Sequence, residues 1–143
     1  MRIILSILLL SFCYPAIIHV PGDYDTIQQG IDAAQDGDTI AVAEGTYSPS
    51  TNGESFPIKM ISNVNLFGQG PGVTIVDAEE TDRVFIMENC FGNTISGISI
   101  IGGNTQGSGG GMHIFASNPT LNEIIIEGNT SFSEGGGLNL SYS

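Results

Sequence analysis

The acidic segment from Asp77 to Asp82 holds the residues best suited to bind a cation. Asp77, Glu79 and Asp82 supply carboxylates within six residues, and Arg83 follows them directly. Calcium prefers oxygen ligands of this kind. The segment lacks the glycine and the regular spacing of a calcium-loop motif, so an ordinary charged turn is the competing interpretation. Asp77, Glu79 and Asp82 are therefore candidate calcium ligands, and no other cofactor is indicated.

The histidines and Cys90 carry no signature of catalysis. His113 lies between Met112 and Ile114, so it should face solvent when those two side chains face a core. Neither His113 nor His19 has a second histidine or a cysteine close by in sequence, which argues against a role as metal ligand or base. Cys90 lacks a neighbouring His, Lys or Arg that would activate its thiol, so a buried, unreactive cysteine is expected.

The segment from Ile98 to the end of the chain contains one pattern twice. Its alternating aliphatic residues predict strands, and its Gly-, Asn- and Ser-rich stretches predict tight turns. A fixed period of this length is typical of solenoids, whose units bury their apolar faces by stacking on one another. Each unit is therefore predicted to be one coil of a β-helix. The positions that recur 26 residues later are Ile98, Ile100, Gly109–Gly111, Met112 and Ile114, which match Ile124, Ile126, Gly135–Gly137, Leu138 and Leu140.

Glu123 and Glu127, on either side of the apolar run Ile124–Ile126, could be a catalytic pair of carboxylates. Glycoside hydrolases place their two carboxyl groups about 5 to 9.5 Å apart. Four residues of strand separate Glu123 from Glu127 by ~13 Å, which is too far. One coil earlier, the repeat places Gly97 and Ile101 beside them, so adjacent coils supply no carboxylate either. Solvated surface carboxylates are therefore the favoured interpretation.

The repeat also indicates which polar residues lie above one another. His113 is expected to stack on Asn139, at the offset of 26. Asn104 and Asn129 occupy the same turn at an offset of 25. They predict either a ladder of stacked side-chain amides or two residues suited to a left-handed backbone.

Residues 1–16 are predicted to form a secretory signal peptide. Arg2 precedes an apolar run from Ile3 to Phe12, which is too short to span a bilayer. Cys13 offers the alternative of an acylated lipoprotein, although Phe12 stands where that motif requires a small residue. Cleavage is therefore placed near Ala16, and no transmembrane segment remains after it.

The chain that follows the signal peptide is strongly acidic. Once Arg2 is removed, two basic residues remain against 15 acidic ones, a formal charge of −13. Such a surface disfavours nucleic acid and anionic membranes as partners. Cys90 is then left without a second cysteine, so no internal disulfide can form.

A short helix is predicted after a first strand at Ile17–Val20. Asp25 and Gln28 fit a capping box, and Ile27, Ile31 and Ala34 fall on one helical face. The helix should run for about ten residues to near Gly37, and a strand at Thr39–Ala43 should follow. An amphipathic helix at this place would cover the apolar end of the first coil and its open strand edges.

The sequence resembles right-handed parallel β-helix proteins of the pectin-lyase-like superfamily, in their N-terminal part. The resemblance rests on TIQQGIDAAQDGDTIAVAEGTY, NVNLFGQGPGVTIVDA, TISGISIIGGN and the GGG units. GNTSFSEGGGL is also similar to repeats of polymorphic outer-membrane proteins and of secreted bacterial β-helix proteins. The resemblance implies the fold, whereas the superfamily's activities range from lyases and hydrolases to adhesins. A lyase of this superfamily would use a basic residue, often with calcium, and Lys59 and Arg83 are the candidates here.

The middle of the chain is predicted to form a long loop and one complete coil. Ser48–Pro57 should be the loop, and Asn63–Phe67, Val73–Val76 and Val84–Met87 should be strands. Three to four coils are expected from Asn63 onward, stacking to ~15 to 20 Å. The side chains expected to point inward are those of Val64, Leu66, Val73, Ile75, Val84 and Ile86.

These patterns predict an all-β, right-handed parallel β-helix with a short N-terminal capping helix. Residues 17–143 should form this domain, which is expected to be incomplete at its C-terminus because no capping segment follows the last coil. The expected function is that of a secreted or outer cell-surface scaffold or adhesin, with polysaccharide or cell-envelope components as partners. The alternative is a carbohydrate-active enzyme, a polysaccharide lyase or glycoside hydrolase, whose active site lies beyond Ser143.

Overall fold

Short parallel strands stack into a β-helix of about five turns in the computed structural model, which describes residues 14–142. This confirms the predicted fold class. One helix, α1, accompanies the strands in this part of the chain. In chain order the elements are β1 (Ile17–Val20), α1 (Ile27–Ala33), β2 (Thr39–Val42), β3 (Gly45–Tyr47), β4 (Ile58–Lys59), β5 (Asn65–Phe67), β6 (Thr74–Asp77), β7 (Phe85–Glu88), β8 (Thr94–Ile101), β9 (Asn104–Thr105), β10 (Met112–Phe115), β11 (Thr120–Ile126), β12 (Thr130–Ser131) and β13 (Leu138–Ser141).

The coils have three main faces. The first face consists of β1, β2, β5 and the opening halves of β8 and β11. The second consists of β3, β6 and the closing halves of β8 and β11. The third consists of β4, β7, β10 and β13. Gly97 and Glu123, stacked on each other, have φ angles of 69° and 49°, and they bend β8 and β11 from the first face to the second.

The predicted register is confirmed in the last two coils. Ile98 pairs with Ile124, and Met112 with Leu138, each at the offset of 26. His113 pairs with Asn139, as expected. Elsewhere the offset ranges from 22 between β1 and β2 to 29 between β5 and β8. Three coils follow Asn63, within the predicted number.

Neither interpretation of Asn104 and Asn129 is correct, because the two side chains do not stack and neither residue has a left-handed backbone. Asn104 pairs with Thr130, because the offset stays at 26 through this turn. Asn129 instead bonds to backbone: its Oδ1 accepts from the Gly103 N–H at 2.8 Å, and its Nδ2 donates to the Ile100 carbonyl at 2.9 Å. The side chain thus joins its turn to the previous coil.

The core lies between the three faces, and the inward residues differ in part from those predicted. Val64, Leu66 and Val84 are fully buried, as expected. The predictions for Val73, Ile75 and Ile86 are wrong: Val73 is 45% exposed, and the other two are half-buried on the outer surface. The side chains that point inward in their place are those of Thr74, Val76, Phe85 and Met87.

Helix α1 is shorter than predicted and begins with a different cap. Thr26, one residue after the predicted Asp25, is the N-cap, and its hydroxyl accepts from the Gln29 N–H at 3.2 Å. The helix spans seven residues, so the expected length of about ten is wrong. Ile27 and Ile31 are fully buried, which confirms the predicted apolar face. The helix packs against β1, β2 and β4 and so covers that end of the β-helix.

The glycine triplets have a steric cause. A β-carbon at Gly110 would lie 2.6 Å from the Gly136 carbonyl oxygen, and one at Gly111 would collide with that of Gly137. Successive coils therefore approach at this turn more closely than a side chain permits.

The predicted signal peptide lies almost wholly outside the described residues, as does Cys13. Of its residues, Ala16 contacts the first coil: its N–H donates to Asp38 Oδ1 at 2.7 Å. Within residues 14–142, no helix is both long and apolar enough to cross a bilayer.

Candidate functional site

A surface depression of about 500 Å³ beside Asp77 and Glu79 forms an acidic cleft. It lies where the second face ends, and four carboxylates surround its apolar floor, Ile101. The residues that line the acidic cleft are Asp77, Glu79, Glu80, Ile101, Gly102, Glu127 and Gly128.

Three successive coils build the acidic cleft. Asp77 ends β6 and pairs with Ile101, the last residue of β8. Glu127 follows β11, and its N–H donates to the Ile100 carbonyl at 3.2 Å. Asp77 and Glu127 therefore lie two strand spacings apart, ~9.6 Å along the β-helix, with Ile101 between them.

Two glycines with left-handed backbones line the acidic cleft. Gly102 and Gly128 follow Ile101 and Glu127, with φ angles of 66° and 63°. A β-carbon at Gly102 would collide with the carboxylate of Asp77. Because Gly102 has no side chain, the turn there leaves room for the Asp77 carboxylate.

Glu79 is held in position by the loop Ser48–Pro57. Its Oε1 accepts from the Ser48 hydroxyl at 2.7 Å and from the Ser50 hydroxyl. These hydrogen bonds, first that of Ser50, lower the pKa of Glu79 below its ordinary value. The Glu79 N–H in turn donates to Asp77 Oδ1 at 2.8 Å. The carboxylate is therefore anionic and anchored at neutral pH.

Asp82, the third predicted calcium ligand, lies apart from the other two. It lines a neighbouring cleft of about 400 Å³ with Thr105 and Gln106, and its Oδ1 accepts from the Arg83 N–H at 2.7 Å. Within residues 14–142, no group of three His, Cys, Asp or Glu side chains is arranged to hold a metal ion. A calcium site that uses Asp77 and Glu79 stays a prediction.

The two basic side chains have different surroundings. Arg83 donates from Nε to the Gly109 carbonyl at 2.9 Å and from Nη2 to the Ser108 carbonyl at 2.7 Å, so it fastens one coil to the next. Lys59 is exposed on the third face and lines a groove there with Met60, Ile86 and Glu88. Neither lies in the acidic cleft.

The remaining residues considered from the sequence are dispersed. His19 lies 3.4 Å from the Asp23 carboxylate, far along the chain from the cleft. His113 is half-buried, and its Nδ1 is enclosed without a hydrogen-bond partner among the described residues. Cys90 is buried, as predicted, and burial raises the pKa of its thiol.

Glu127 is the cleft carboxylate that lies outside the acidic segment found in the sequence. The repeat relates it to Ile101, one coil earlier, where no carboxylate lies. Asp77 lies one coil further back, at an offset of 24 from Ile101 instead of 26. Aligning β6 with β8 in the sequence would have placed Asp77 beside Ile101. That alignment needs an offset of 24, which differs from the offset of 26 that the last two coils share.

The stacked parallel strands define a β-helix repeat protein. A family model described as "Protein of unknown function (DUF1565)", a family associated with β-helix proteins, matches residues 21–78. The match covers α1 and β2–β6 and ends next to Asp77. No curated protein matches the chain.

Proposed function

We propose that the chain is a secreted or outer cell-surface β-helix scaffold of the pectin-lyase-like kind, which binds carbohydrate. The observation that carries the proposal is the stack of parallel coils, whose outward side chains lie in regular rows on open faces. A rigid surface of this kind suits a long, repetitive ligand better than a small molecule that must be enclosed. The resemblance to polymorphic outer-membrane repeats supports the adhesive role.

Export is the first test of this proposal. The chain is fused to a reporter with residues 1–16 present or deleted, and cells are separated into cytoplasmic, envelope and medium fractions. The full sequence should leave the cytoplasm, and the deleted form should stay there. Equal distribution of the two forms would refute the secreted location.

A carbohydrate-active enzyme is the second candidate, and the acidic cleft is the observation that favours it. The backbones of Asp77 and Glu127 lie ~9.6 Å apart along the axis, which is close to the separation of about 6.5–9.5 Å between the carboxyl groups of inverting glycoside hydrolases. However, Glu127 and Glu80 are exposed and Asp77 is half-buried. A carboxyl group that acts as general acid at neutral pH lies in a buried, apolar site, and none of these three carboxyl groups is buried. Binding is therefore favoured over hydrolysis.

Hydrolysis of a panel of neutral and uronate polysaccharides separates the two candidates. An enzyme that uses this cleft would release reducing sugars, and Asp77→Asn or Glu127→Gln would abolish the release. Activity that survives both substitutions would place the active site elsewhere, as in the alternative that locates it beyond Ser143. The scaffold proposal expects no release.

A further inference from the structure

The third face carries two outward rows that continue from coil to coil. Lys59, Ile86, His113 and Asn139 form one row, because the register pairs each with the next. In the other row, Glu88 pairs with Phe115, and Phe115 with Ser141. A groove of about 280 Å³ lies among Lys59, Met60, Ile86 and Glu88. Apolar and polar side chains thus alternate over one shallow surface.

Aromatic rings extend this surface beyond the groove. The His113 ring stacks on that of Phe115, with centroids 6.4 Å apart and planes at 18°. Tyr142 meets Phe115 edge-on, with centroids 5.4 Å apart, and is 86% exposed. The electron-rich face of an aromatic ring attracts the weakly positive C–H groups of a sugar ring, as it attracts other positive edges.

The charge of the third face differs from that of the whole chain. The formal net charge is −12, yet Glu88 is the one acidic residue in β4, β7, β10 and β13. Lys59 balances it, and within residues 14–142 neither forms an ion pair. Their hydrogen-bonding groups are therefore available to a ligand, on a surface that neither repels nor attracts net charge.

We infer that the third face is the carbohydrate-binding surface and that its ligand is a neutral oligosaccharide lying along the β-helix axis. The inference rests on the proposed carbohydrate-binding function and names its site and ligand class. Sugar rings pack on Phe115 and Tyr142, and Lys59, Glu88 and Asn139 bond to hydroxyl groups. An anionic polysaccharide is disfavoured because the other faces of the molecule repel it.

The test is titration of the ¹⁵N-labelled chain with short, soluble β-1,4-linked glucose, mannose and xylose oligosaccharides, and with oligogalacturonate as the anionic comparison. Amide shifts should change on β7, β10 and β13 with at least one neutral ligand. Phe115→Leu keeps an apolar side chain but removes the ring, and it should weaken binding about three- to tenfold. Phe67→Leu is the matched control, because Phe67 is 39% exposed on the first face, and it should leave affinity unchanged.

If Phe115→Leu melts at a lower temperature than the native chain, Lys59→Met provides a second variant, because Lys59 is exposed. Lys59→Met should also weaken binding. Shift changes confined to the acidic cleft would refute the third face but leave the carbohydrate-binding proposal standing. Equal losses in Phe115→Leu and Phe67→Leu, or tight binding of oligogalacturonate, would also overturn the inference. If no neutral oligosaccharide shifts any amide signal at millimolar concentration, both the inference about the third face and the proposed carbohydrate binding are refuted. The proposed secreted location is tested separately by the export experiment.

Discussion

Glu54 holds a buried carboxylate at the start of α1. It is 2% exposed, and its Oε2 and Oε1 accept from the N–H groups of Ile27 at 2.6 Å and Gln28 at 3.2 Å. The first turn of a helix leaves such groups without partners, and Thr26 satisfies a third. Burial raises the pKa of Glu54, and hydrogen bonds from backbone N–H groups, first that of Ile27, oppose that shift. The loop Ser48–Pro57 is thereby tied to the helix.

Replacing Glu54 with Ala should lower the free energy of unfolding by about 2 kcal/mol, because two buried N–H groups lose their acceptor. Since the folded pKa lies above the ordinary value of 4.5, the folded state binds the proton more tightly. The stabilisation from Glu54 is therefore complete below that pH and declines as pH rises through the folded pKa. Urea unfolding of the native chain and of Glu54→Ala, at several pH values from acid to neutral, measures this decline.

The exposed Glu44→Ala serves as the control for this substitution and should change stability little. A difference between the native chain and Glu54→Ala that grows with rising pH would contradict the assigned direction of the pKa shift.

Calcium in the acidic cleft predicts a ligand-dependent melting temperature. A bound cation stabilises the folded state by mass action, so millimolar calcium should raise the melting temperature of the native chain and not that of Asp77→Asn. Asp82→Asn should respond like the native chain, because Asp82 lies in the neighbouring cleft. Identical melts of the native chain with calcium and with chelator would exclude the site.

At the scale of elements, α1 protects a strand edge through one side chain. Gln28 Oε1 accepts from the Lys59 N–H at 2.7 Å, and Gln28 Nε2 lies 3.5 Å from the Lys59 carbonyl. The side-chain amide thus takes the place of a neighbouring strand beside β4. The sequence predicted that the helix covers open edges, and the structure shows the contact that does so.

Gln28→Ala should lower the free energy of unfolding by about 1 kcal/mol, because the edge of β4 loses this partner. Gln29→Ala is the control, since Gln29 is exposed on the same helix. Thermal unfolding followed by circular dichroism measures both variants. Equal destabilisation by the two substitutions would show that the cap acts through helix propensity alone.

The strands that were given bounds from the sequence begin and end within two residues of the observed strands, whereas β3, β4, β9 and β12 were not predicted. The side of a strand that faces the core was also not always predictable. Val73 to Val76 offers apolar residues at both parities, and the structure buries Thr74 and Val76. Thr74 is tolerated inside because its hydroxyl donates to the Ala43 carbonyl at 3.0 Å and accepts from the Gln69 N–H at 2.9 Å. A hydrophobicity pattern does not identify a polar residue that is buried because it finds hydrogen-bond partners inside the core.

The acidic cleft was predictable in part. Asp77 and Glu79 were found from their residue type and spacing, whereas Glu127 was missed and Asp82 lies outside. The amino-acid composition identifies which turns are acidic, but the coil-to-coil offset determines which turns lie next to each other in the β-helix. That offset ranges from 22 to 29 across the chain, because loops of different length leave the turns.

At the scale of the molecule, protection by neighbouring coils is unequal. Ile98 is fully buried beneath the following coil, whereas Ile124, its partner at the same position, is half-buried. Leu140 of the same last coil is 59% exposed. In a solenoid each coil is stabilised by its neighbours, so the less buried coil of β11 and β13 should have a lower local stability than the coil of β8 and β10.

Ile98→Ala should therefore cost about 3 kcal/mol of unfolding free energy, and Ile124→Ala about 1 kcal/mol. The two substitutions remove the same atoms from equivalent positions, so each controls for the other. Chemical denaturation measures the costs, and amide hydrogen exchange should be faster in β11 and β13 than in β8. Equal costs, or uniform exchange across the coils, would contradict a gradient of stability.

The cap at one end of the β-helix also sets an order of folding. Every strand pairing joins segments 22 to 29 residues apart, so no coil waits for a distant part of the chain. Helix α1 packs against β1, β2 and β4, all complete by Lys59. The capped first coils can therefore form while later residues are still being synthesised, and each new coil finds a finished template to add to. Growth in this manner leaves one apolar surface open at a time, which limits aggregation of the incomplete chain.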